Sequence, residues 1–131
     1  FLFCSHIFAM DQKVPTYQGV FIYDAPSIVL LAHNYLDGQY FKYIETGDMI
    51  RYYDNGWKDY QVKEVIVMQA LPNNTFLKDG VFWTGIDVNE RIYDKEGALV
   101  LQTCVKKDKN WSWGRLFIVA EEYGHPTAGI N

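Results

Sequence analysis

The stretch that most constrains the fold is residues 48–70, DMIRYYDNGWKDYQVKEVIVMQA. Two runs rich in aromatic and β-branched residues flank Asn55-Gly56. Both residues of that pair tolerate the positive φ of a type I′ turn, so the pattern predicts a β-hairpin. In the second arm Tyr60, Val62 and Glu64 share one face, and Gln61, Lys63 and Val65 the other, as a period of two requires. The pattern turns continuously apolar at residues 65–68, which predicts an end buried on both faces.

The rest of the chain also reads as strand. GVFIYD and SIVLLAH are short apolar runs bounded by turn residues, and residues 98–104 and 115–121 form two closing strands. The polar, Trp-bearing segment between the last two reads as a loop. That places Cys104 at the end of one strand and Arg115 at the start of the next. LPNNTF is a turn, and FWTGIDVNERIYDKEG a long loop carrying a short helix or strand. GQYFKYIETG is the best helix candidate, about two turns ended by Gly47. Many short strands with tight turns and little helix predict an all-β fold, a closed barrel or a sandwich. A length of 131 residues fits one domain with its own core. Residues 1–18 fit the pattern least, and residues 123–131 read as exposed end-matter.

A net charge of -4 and a pI near 5.2 argue against nucleic acid as a partner. Lys106, Lys107 and Lys109 read as a solvated loop. No apolar run approaches the length of a membrane span. FLFCSHIFAM is too short and too interrupted for a signal peptide, and without an initiating Met the chain is expected to be a piece of something longer. Two cysteines make no disulfide framework, though a Cys4–Cys104 bridge stays open in an oxidising compartment.

A cysteine attacks as its thiolate, and an ordinary thiol has a pKa of about 8.5, so a catalytic cysteine wants a nearby imidazole and a donor for the oxyanion. Of the three histidines, His6 lies in the irregular N-terminal segment and His125 in the tail. His33 ends the apolar strand SIVLLAH and is the one a rigid element presents. Singly, each candidate has a plain explanation: a strand cysteine is usually a small buried hydrophobe, and a strand-end histidine or arginine a surface group. Together, His33, Cys104 and Arg115 at strand edges form a candidate catalytic set.

The segment VLQTC, ending at Cys104, with Arg115 heading RLFIVAEE, resembles the signature of the sortases, cysteine transpeptidases of the bacterial cell surface. In that family a Leu-x-Thr-Cys motif ends one barrel strand and an Arg begins the next; Leu101, Thr103 and Cys104 stand in the motif here. The family's upstream Gly-His pair is matched by LAHN, with Ala32 in place of the Gly. Its short helix, Gly-Asp and hairpin with Tyr-x-Val are matched by YFKYIETGDMIRYY…DYQVKEV, with Gly47-Asp48 and Tyr60-Gln61-Val62. The match runs in order from Ile28 to Glu121.

The resemblance implies a closed, mostly antiparallel sortase-type β-barrel of about eight strands with one or two short helices. It implies that Cys104 attacks a Thr-Gly-type bond of an LPxTG-like C-terminal sorting signal. His33 would exchange the proton, and Arg115 would bind the substrate backbone or the oxyanion. Thr103, Leu101, Ala32 and Trp113 would border the substrate, Trp113 as a cleft wall. The partners implied are the sorting-signal peptide and an amine from a peptidoglycan precursor or a pilin. The full-length form would be membrane-tethered, at the extracellular face of the cell membrane.

No cofactor or metal is expected. Some relatives hold calcium on acidic groups before the cysteine strand, but Asp87, Glu90, Asp94 and Glu96 are few for an ion that favours six to eight oxygens, and a solvated loop is the better reading. Asp24 and Pro26 in YDAPS do not reproduce the Asp-Pro-aromatic order of the lid found in pilin-assembling members. Two rivals stand beside transpeptidation: a sortase-like cysteine protease that only hydrolyses, and a non-catalytic β-barrel binding module.

Overall fold

The computed structural model describes residues 20–53 and 56–124. Cys4, His6, Asn55 and His125 lie outside them, as do residues 1–18 and most of the tail. The described residues form eight strands and two short helical segments. The strands are β1 (Val20–Asp24), β2 (Ile28–Ala32), β3 (Met49–Tyr53), β4 (Trp57–Leu71), β5 (Thr75–Lys78), β6 (Val81–Thr84), β7 (Leu99–Lys107) and β8 (Asn110–Glu122). A 3₁₀ helix spans Asp37–Tyr43, and Gly47 beyond it has a φ of 95°. Helix α1 (Gly85–Val88) runs on as a π-helical stretch, Asn89–Tyr93. No described helix is long and apolar enough to cross a membrane.

The strands lie in the order β1-β2-β7-β8-β4-β5-β6, with β3 paired to β4. All pairs are antiparallel except β2 with β7. The strand number and the mostly antiparallel character match expectation, but the closed barrel does not. β4 gives one edge to β8 along residues 60–69, and its other edge is divided between β3 near its start and β5 near its end. Among the described residues β1 and β6, the two ends of the path, do not pair, so the sheet is open.

Two apolar layers explain the continuous apolar runs. Leu30, Leu99, Leu101, Leu116 and Ile118 pack on one face with Phe41 of the 3₁₀ helix. Val29, Val100, Phe117 and Val119 pack on the other with Val88 and Ile92 of the helical segment. The central strands β2, β7 and β8 are therefore covered on both sides, which a run without polar alternation requires.

Three local expectations are corrected. Tyr53 pairs with Trp57, leaving three residues between the arms rather than the two of a type I′ turn; Gly56 has a φ of 132°. The residues 65–68 are not buried on both faces. A bulge at residues 62–64 of β4 resets the alternation, so Ile66 and Met68 turn to the core while Val65 and Val67 stay exposed. Of the lysine-rich segment only Lys109 lies in a turn; Lys106 and Lys107, though exposed, belong to β7. β7 and β8 continue past Cys104 and Arg115 to a turn where Asp108 has a φ of 58°. Lys106 lies 4.1 Å from the Trp111 ring and Lys107 4.8 Å from the Trp113 ring, and these cation–π contacts cover the extended hairpin.

Candidate active site

Cys104 and Arg115 are register partners across β7 and β8. They lie within strands rather than at their ends, because the hairpin runs on to Lys107 and Asn110. Facing residues of an antiparallel pair project to the same side. On β7 and β8 that side is the one holding Val100, Phe117 and Val119. Cys104 is half-buried, and among the described residues its thiol is free. On its other edge β7 runs parallel to β2, with Ala32 paired to Thr103. His33 follows Ala32 by one residue, at the level of Cys104.

The chain around His33 is tightly held. Thr103 is buried, and its hydroxyl donates to the Ala32 carbonyl at 2.7 Å. The backbone N–H groups of Leu36 and Gly38 both donate to the His33 carbonyl, at 3.1 and 3.0 Å. Gly38 fits only because it has no side chain: a Cβ there would stand 2.5 Å from Thr103 Oγ1 and 2.7 Å from the His33 carbonyl oxygen. The His33 ring stacks on Tyr35, with centroids 5.0 Å apart, and Tyr35 meets Trp111 edge-on at 6.0 Å. Burial holds the His33 pKa below the ordinary 6.5, because the charged imidazolium loses solvent there.

Arg115 Nη1 donates to the carbonyls of Gly114 and Ser112, at 2.9 and 3.3 Å. Among the described residues no carboxylate pairs with it. Nε and Nη2 therefore remain to donate elsewhere, as a planar fork allows.

Two cavities flank the set. A cavity of about 440 Å³ is bordered by Cys104, Thr103, Tyr35, Trp111, Lys42 and Lys106. A larger one, about 870 Å³, lies under α1 and the β4–β5 turn and is bordered by Arg115, Gln102, Tyr93, Phe117, Asn74 and Asn89. The structure thus joins Cys104 to Arg115 by register but divides them between cavities. His33 stands beside the smaller one through Tyr35.

The remaining expected contacts fare differently. Leu101 and Ala32 are buried in the apolar layer and border neither of these two cavities. Thr103 borders the smaller cavity, but its hydroxyl is engaged with Ala32. Trp113 packs under Lys107, and it is Trp111 that borders the cavity beside Cys104. Asp87 closes a capping box with Thr84 at the start of α1, accepting from the Thr84 N–H at 2.8 Å, which lowers its pKa. Among the described residues no three His, Cys, Asp or Glu side chains converge on a metal position.

Sequence reasoning passed over Gln102 and Tyr93, whose side chains are hydrogen-bonded to each other at the larger cavity. A signal existed: Gln102 is a polar residue in LVLQTC, two before the cysteine and hence on its face.

No protein-family model matches the sequence, and no curated protein sequence matches it. Solved structures do. Sortase C1 of Streptococcus suis is similar over 95% of this chain and 74% of its own, at 18% identity and a TM-score of 0.56. A sortase D5 transpeptidase of Clostridium perfringens is similar over 81% of this chain and 58% of its own, at 15% identity and a TM-score of 0.52. The lid mutant of Streptococcus agalactiae sortase C1 is similar over 82% of this chain, at 18% identity and a TM-score of 0.52. The chain spans about half the length of the S. agalactiae protein, 51%.

Proposed function

This chain has the sortase fold, and from that premise we propose that it is a cysteine transpeptidase. One observation carries the reading: Cys104 faces Arg115 on the next strand, while the pairing of Ala32 with Thr103 brings His33 to the same level from the other side. A nucleophile and a forked donor on β7 and β8, and a proton carrier at the residue that follows β2, then come from neighbouring parts of one sheet.

In the proposed reaction the Cys104 thiolate attacks the carbonyl carbon of a Thr-Gly-type bond in an LPxTG-like sorting signal. Arg115 Nε and Nη2 donate to the developing oxyanion or to the adjoining peptide carbonyl. The tetrahedral intermediate collapses, the C–N bond breaks, and the imidazolium of His33 gives its proton to the leaving amine. A thioester on Cys104 remains. An incoming amine attacks it, passes a proton to neutral His33, and releases the thiolate. The amine belongs to a cell-wall precursor or a pilin. The working place is the extracellular face of the membrane, with the full-length protein tethered there. Cofactor and metal have no part in this scheme.

The test is intact-mass spectrometry after mixing the protein with an LPxTG-like peptide. The expected result is an acyl adduct at Cys104, resolved to an amide product by added amine and absent from Cys104→Ala. Release of the free acid alone, even with amine in excess, would assign hydrolysis instead. No adduct and no turnover with any such peptide would leave a binding module.

A further inference from the structure

We propose that the Gln102 side-chain amide, oriented by the Tyr93 hydroxyl, is a specificity donor that reads a backbone carbonyl of the acyl-donor peptide two residues before the bond Cys104 attacks. This rests on the transpeptidase reading and names a contact within it. Gln102 and Cys104 alternate onto the same face of β7, two residues and about 6–7 Å apart. An extended peptide has the same rise. Laid over that face in the direction of β7, from the larger cavity toward Cys104, the peptide sets level with Gln102 the carbonyl of the second residue N-terminal to the one that meets Cys104; laid the other way, it would set there a residue beyond the bond that breaks.

Three features fit Gln102 to that task. Its Oε1 accepts from the Tyr93 hydroxyl, which fixes the amide plane and turns the nitrogen away from the ring. Tyr93 is itself held, packed against Phe117 with centroids 6.2 Å apart, while its carbonyl accepts from the Ser27 hydroxyl at 2.7 Å. Among the described residues the Gln102 nitrogen has no hydrogen-bond partner, and no unpartnered side-chain polar atom is fully buried, so this donor opens to the cavity. The cavity suits a neutral acceptor. Its polar lining is largely carboxamide, from Asn73, Asn74 and Asn89 besides Gln102, and Arg115 is the one charged residue on it. A donor fixed before binding loses little entropy when the peptide arrives, which makes it selective.

The test measures acylation of Cys104 by a parent peptide and by peptides carrying a single ester in place of each amide before the scissile bond. An ester carbonyl is a poorer acceptor. Gln102→Leu is expected to raise KM for the parent about 3- to 10-fold, as loss of one hydrogen bond would, with the loss in KM rather than kcat. Tyr93→Phe, which keeps the ring, moves KM the same way by less. In the wild type the ester following the second residue before the attacked one weakens binding, and in Gln102→Leu that ester no longer matters. Equal ester sensitivity in both proteins, or an unchanged KM in both variants, overturns the proposal. Absence of any thioester in the wild type instead overturns the transpeptidase reading, so the two failures are distinct.

Discussion

The Thr103 hydroxyl donates to the Ala32 carbonyl across 2.7 Å, and each of these residues immediately precedes a candidate catalytic one. The bond crosses the one parallel pairing of the sheet, β2 with β7. It pins the point at which the chain leaves β2 toward His33 against the strand that carries Cys104. The relative position of thiol and imidazole therefore depends on a buried hydroxyl that need not touch substrate.

Thr103→Val keeps the shape and removes the donor, leaving the Ala32 carbonyl buried without this partner. A loss of about 1–3 kcal/mol in unfolding free energy is expected, read as a lower urea midpoint with unchanged slope. Thr103→Ser should restore most of it. A substrate-contact role would instead move KM and leave stability alone.

Gly38→Ala pushes a methyl group against Thr103 Oγ1 and against the carbonyls of His33 and Ala32, two of the three being backbone atoms. Because backbone cannot swing aside, a cost of about 1–3 kcal/mol is expected. Turnover should fall more than stability predicts, since the displaced residues flank the site. A thermal melt paired with kcat/KM separates the two effects, and wild-type values in both would show that the segment yields freely.

The His33 midpoint, followed by NMR of the ring protons, should lie below 6.5, because burial disfavours the imidazolium. Between that midpoint and 6.5 the unfolded chain binds more protons than the folded one, so stability rises with pH through this window and falls as pH drops through it. His33→Gln should remove that dependence. A midpoint at or above 6.5 would mean that a neighbouring anion outweighs desolvation.

Arg115→Lys keeps the charge and loses the planar fork. If Arg115 donates to the oxyanion, kcat/KM for a fixed peptide should fall on the order of 10²-fold or more. Wild-type behaviour of the lysine variant would reduce Arg115 to a surface charge. A change in KM alone for Arg115→Ala would make it a peptide-positioning group.

Much of this was legible in the residues because it is local. Strand type follows from runs such as IVLLA, and the turns at Asn73, Asn74 and Gly56 follow from residues that accept the positive φ found there. The pairing of Cys104 with Arg115 was approachable for the same reason: a hairpin sets its register through its own turn. The placement of that turn was not. The contacts of Lys106 and Lys107 with Trp111 and Trp113 extend the strands through a segment whose polarity reads as loop.

The sequence by itself determined the kinds of element, their order and the residue types available for chemistry, since period-two alternation and turn propensity act over a few neighbours. Tertiary structure alone decided that Thr103 and Ala32, 71 positions apart, would bond. It also decided that residues 62–64 would bulge, that β3 and β5 would share one edge of β4 and leave the sheet open, and that Gln102 would meet Tyr93 at a cavity. Each of those outcomes is a choice among pairings of similar local propensity. The choice is made by the combined burial of both apolar layers and the hydrogen bonding of all the paired strands at once, which no short window of sequence contains.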